Sequence, residues 1–183
     1  DELRTTAGTW LSQLETATSQ TDALSELLEP DSYWRDLLSF TWNITTAEGR
    51  DEIVEMIRST APASQLSNVE LDGDPVDEGD GVTRVHFTFD SGDFHSVGIA
   101  RLRNGRAWTI LTSARELIDH PEPKGRRRPL GAEHGESVDR RNWADKKAHR
   151  QATLGVEDHP YVLIVGGGQG GIALGARLKR LGV

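Results

Sequence analysis

"VTRVHFTFDSGDFHSVGIARLRNGRAWTILTS", residues 82–113, alternates apolar and polar side chains through three successive segments. In the first, Val85, Phe87 and Phe89 fall on one side and Arg84, His86 and Thr88 on the other, the period of two that belongs to a half-buried strand. Ser91 to Asp93 turn the chain, and a second strand follows over about Phe94 to Arg103. Asn104-Gly105 is the strongest short hairpin signal, and a third strand returns over about Arg106 to Ser113. An earlier strand is expected at Leu66 to Leu71, set off by the acidic, glycine-rich "DGDPVDEGDG" of residues 72–81. Together these make an antiparallel meander.

Upstream, the spacing changes to that of helices. Leu3, Ala7, Trp10, Leu11, Leu14 and Ala17 recur on one helical face. A short helix with Leu24, Leu27 and Leu28 is stopped by Pro30. Asp31 is placed to cap a third helix through about Phe40, with Trp34, Leu37 and Leu38 facing inward. Thr45 and Glu48 read as a capping box before a helix with Ile53, Met56 and Ile57, ended by Pro62. Helices followed by paired strands imply an α+β domain over residues 1–118.

Residues 119–160 read as a linker: they hold Pro121, Pro123 and Pro129, the basic run Lys124 to Arg128, and one helix over about Asn142 to Leu154. The basic run reads as a solvated segment. His120, His134, His149 and His159 are too widely spaced, and lack ligand-like neighbours, to make a metal site. The last segment, 161–183, is of another kind. Val162 to Val165 is a short apolar run expected to form a buried strand, and Gly166, Gly168 and Gly171 fit G-x-G-x-x-G. A helix is expected over about Ile172 to Leu181, with Leu174, Leu178 and Leu181 on one face and Gly182 as its C-cap. The helix N-terminus would face a pyrophosphate. The acidic residue that binds a ribose hydroxyl is expected about 20 residues after such a loop. That position lies past Val183, so the chain reads as the beginning of a longer protein.

The net charge of −8 is unevenly placed: residues 1–118 carry 9 Lys and Arg against 21 Asp and Glu. An acidic body argues against nucleic acid and anionic membranes as partners. There is no Cys, which fits a cytoplasmic location, and no apolar run is long enough to span a bilayer.

The helices and meander, with "SELLEPDSYWRDLLSFTWNITTAEGRDEIVEMI" at Ser25 to Ile57, resemble the nuclear-transport-factor-2 (NTF2)-like cone, also called ketosteroid-isomerase-like or SnoaL-like. With the linker "RRPLGAEHGESVDRRNWADKK" and the closing "PYVLIVGGGQGGIALGARLKRLGV", the whole is similar to bacterial and fungal flavin-containing monooxygenases with an N-terminal cone domain. That resemblance implies FAD, with its pyrophosphate on Gly166, Gly168, Gln169, Gly170 and Gly171. It also implies NADPH bound by a later segment, and insertion of one oxygen atom into a small organic substrate. N- or S-oxidation and Baeyer–Villiger chemistry both stay open.

A cone can also enclose an apolar pocket. Trp34, Asp36, Trp42, His86, His95 and Trp108 are the residues expected to line it, and an aspartate there could move a proton next to a carbonyl. The simpler expectations are a core role for the tryptophans and a solvated or paired Asp36. The module would then form a homodimer through its sheet or dock on the flavin domain.

Overall fold

Leu28–Leu37 alternates in burial along its length, with Leu28, Ser32, Trp34 and Asp36 inward and Asp31, Tyr33 and Arg35 outward. It is therefore a strand, β1, and the helix expected over Asp31 to Phe40 does not form. In the computed structural model, which describes residues 2–128, 141–159 and 162–181, the chain falls into two units, Asp1–Pro121 and Glu122–Val183.

The first unit opens with α1 (Glu2–Ser19) and α2 (Thr21–Leu24), and a short 3-10 turn, Ser25–Leu27, leads into β1. Pro30 sits where the pairing register of β1 shifts, between Leu28 and Tyr33, a place where its missing N–H costs no ladder bond. β2 (Ile44–Glu48) pairs antiparallel with β1, and α3 (Arg50–Thr60) follows. The capping box expected from Thr45 and Glu48 is displaced, because both lie in β2. Instead the Glu52 carboxylate accepts from the Glu48 N–H at 3.0 Å. The meander comprises β3 (Leu66–Leu71), β4 (Val76–Gly79), β5 (Val82–Ser91), β6 (Phe94–Arg103) and β7 (Arg106–Leu117).

The sheet has seven strands in the order β2-β1-β7-β6-β5-β3, with β4 also paired to β5. Only β1 and β7 run parallel; the other pairs are antiparallel. The Asn104-Gly105 turn has both residues at positive φ, 52° and 79°, as a two-residue hairpin requires. β7 runs past Ser113 by way of register shifts against β6. Such bulges bend a strand.

α1 packs on β3, and α3 on β1 and β2. Aromatic side chains pack into the space expected to form an apolar pocket. Trp10, Trp34, Phe40, Phe87 and Phe89 are each at most 2% exposed. Their rings meet at 5.6–6.3 Å between centroids, Trp10 on Phe87 and Phe40 on Phe89 among them. Gly98 on β6 admits the Phe87 ring: a Cβ there would lie 2.1 Å from Phe87 Cζ.

The second unit contains a 3-10 turn (Gly125–Arg127), α4 (Trp143–Thr153) and α5 (Gln169–Leu181). The Asn142 side chain caps α4 by accepting from the Asp145 N–H at 2.9 Å. α5 starts three residues earlier than expected. The strand expected at Val162 to Val165 is not formed among the described residues, since no neighbouring strand offers it backbone partners. Tyr161, Gly182 and Val183 lie outside the described residues.

Candidate functional site: a groove on the outer face of the sheet

Asp36 sits near the end of β1, 0% exposed. Its Oδ2 accepts from the backbone N–H groups of Phe40 (3.0 Å) and Thr41 (2.9 Å) and from the Thr41 hydroxyl (2.8 Å). Its Oδ1 accepts from the Thr112 hydroxyl on β7 at 2.8 Å, and that hydroxyl accepts from Trp34 Nε1 at 3.0 Å. Both oxygens are thus engaged by the loop that joins β1 to β2 and by the neighbouring strand. A general base needs hydrogen-bond reach to its substrate. A carboxylate so enclosed instead clamps a loop, in which Leu38 and Trp42 both stand at positive φ, 73° and 52°.

The six residues expected to share a pocket are not brought together. Trp34 joins the aromatic core. Trp42 is 64% exposed and tilts against Phe94 at 4.8 Å. His95 lies outward on β6, its Nδ1 2.5 Å from an Asp90 carboxylate oxygen. Burial raises the Asp90 pKa, but hydrogen bonds from Asn68 and His95 and the charge on His95 outweigh this and hold it below its ordinary value. Trp108 faces outward at the bulge of β7, with the Arg103 guanidinium 4.2 Å above its ring.

His86 lines a groove of about 410 Å³ across the outer face of the sheet. Two rows of the ladder build it. One runs His86, Ile99, Leu111, Arg35 across β5, β6, β7 and β1. The other runs Arg84, Arg101, Thr109, Tyr33 over the same strands. Ile99 and Leu111 form an apolar floor between polar ends. Arg84 and Arg101 lie directly opposite each other, a repulsive pairing for like charges. Glu78 on β4 relieves it by pairing with both, at 2.9 and 2.7 Å. Arg84 Nε remains buried without a partner, and the Arg35 guanidinium pairs with no other described residue. The outward positions of β5 and β6 were legible in the alternation; Arg35 and Tyr33 were not, because β1 read as a helix.

In the second unit, Gly166 and Gly168 precede α5, and Gln169, Gly170 and Gly171 form its first turn. A Cβ on Gly171 would lie 2.1 Å from the Gly166 carbonyl oxygen, so only glycine lets the helix approach the preceding segment this closely. Among the described residues, no group of three His, Cys, Asp or Glu is placed to hold a metal ion, and no helix is long and apolar enough to cross a membrane.

No protein-family model matches the chain, and no curated protein matches its sequence. Solved structures similar to it include an NTF2-like protein of unknown function from Burkholderia xenovorans LB400, 16% identical over 62% of this chain and 86% of that one, with a TM-score of 0.43. A ketosteroid isomerase-like protein from Erwinia carotovora atroseptica SCRI1043 is 14% identical over 61% and 92%, with a TM-score of 0.47. An M. tuberculosis LEH-like epoxide hydrolase is 13% identical over 61% and 84%, with a TM-score of 0.42.

Proposed function

We propose that residues 2–121 form an NTF2-like module that binds a small molecule in the outer groove of its sheet. The observation that carries this reading is the groove itself: an apolar floor of Ile99 and Leu111 with polar groups converging from four strands. The filled interior and the enclosed Asp36 disfavour an isomerase acting inside the cone. Titration with the uncharged fluorophore N-phenylnaphthylamine tests the reading. Saturable binding is expected, lost in Ile99→Glu while circular dichroism stays unchanged. The homodimer expected from the sequence would use the same face. A tight dimer in sedimentation that excludes the probe would therefore replace a small molecule with a second copy as the occupant.

A second reading concerns residues 162–181, and the close approach at Gly171 favours it. In this reading Gly166, Gly168, Gln169, Gly170 and Gly171 would hold the pyrophosphate of FAD in an FAD- and NADPH-dependent monooxygenase. Gly171 keeps α5 close to the loop, and the N–H groups of the first turn of α5 would be the donors to a bound phosphate. When bound, the flavin supplies the redox chemistry. Equilibrium dialysis against adenosine diphosphate tests this: weak binding is expected for the native chain and none for Gly171→Val. Equal retention by both would remove the reading.

A further inference from the structure

We infer that the ligand of the outer groove is a small organic anion, a carboxylate or sulfonate on an apolar aryl or alkyl body. This rests on the groove being a small-molecule site and adds the chemistry of what it takes. Three arginines, Arg35, Arg84 and Arg101, line the groove, although residues 1–118 hold only 9 Lys and Arg against 21 Asp and Glu. Three of the module's nine basic side chains thus meet on one face. Glu78 offsets only one of the three positive charges, since Arg84 and Arg101 share it.

What remains suits an anion. The Arg35 guanidinium is free among the described residues and stands in the same row as the apolar floor. Arg84 keeps a buried, unpartnered Nε–H on the other side of that floor. His86 and Arg35 are three strand spacings apart, about 14 Å. That span accommodates a body of two fused or linked rings lying over Ile99 and Leu111, with its acid group at an arginine. A neutral ligand would use the floor and leave the Arg35 guanidinium unanswered.

The test compares two fluorophores that differ in charge, anilinonaphthalene sulfonate and uncharged N-phenylnaphthylamine, on the purified chain. The anion is expected to bind about tenfold more tightly, the worth of one charge-assisted hydrogen bond. Arg35 is exposed, so its variants should fold. Arg35→Gln should remove most of the preference, Arg35→Lys should keep much of it, and added salt should reduce it. Equal binding of both probes to the native chain, or an unaltered preference in Arg35→Gln, would overturn the inference while leaving the groove as a binding site. If neither probe binds and the chain sediments as a dimer, both the inference and the reading beneath it fail.

Discussion

Asp36, Gly98 and Asp90 show how much a single position can decide in this fold. Asp36→Asn places an amide N–H₂ among groups that are themselves donors, and should cost about 2–3 kcal/mol in urea unfolding. An unchanged midpoint would contradict the clamp. Gly98→Ala drives a methyl into the Phe87 ring and should cost about 1–3 kcal/mol; adding Phe87→Leu should recover part of the loss, because the ring is the obstacle. The lowered pKa of Asp90 means that its charged form is favoured by folding. Its contribution is complete above the ordinary 3.8 and is lost as pH falls through the lowered value. The Tm deficit of Asp90→Asn should therefore be largest near neutrality and vanish in acid; a deficit independent of pH would contradict this. None of these roles was read from the sequence, because each depends on how loops and neighbouring strands come together in space. Thr112 is 76 residues from Asp36, and Phe87 acts on Gly98 from the neighbouring strand.

At the scale of elements, legibility followed periodicity. The strands β5, β6 and most of β7 were plain because their alternation is regular and Asn104-Gly105 fixes the hairpin. β1 was not, because Trp34, Leu37 and Leu38 happen to fall at helical spacing and Pro30 reads as a stop. What makes β1 a strand is pairing on both edges, with β2 and with β7, and long-range pairing overrides local pattern. β4 was missed because its acidic, glycine-containing sequence reads as a loop; Glu78 earns it a place beside Arg84 and Arg101. The β1–β2 loop keeps Leu38 at φ 73° and 44% exposed. Leu38→Gly removes that strain with little loss of burial. It should leave stability unchanged or raise it by up to about 1 kcal/mol, while Leu38→Val should lower it. A clear loss in Leu38→Gly would show that the side chain, not the backbone, holds the loop.

Across the whole molecule, the layering of an α+β domain was legible, and the place of its site was not. Composition marks the module as acidic but cannot show that three of its arginines converge on one face. That convergence depends on the register of four strands, two of whose outward residues, Tyr33 and Arg35, come from the misread segment. Five aromatic side chains pack where a pocket was expected inside the cone, and a groove lies on the opposite face of the sheet. Nuclear magnetic resonance of the labelled chain, titrated with anilinonaphthalene sulfonate, tests this most directly. Shifts should appear in the amides of Tyr33, Arg35, Arg84, His86, Ile99 and Leu111, on the outer rows of β1, β5, β6 and β7. Shifts centred instead on Asp36, Phe40 and Thr112 would place the ligand in the interior and contradict the account.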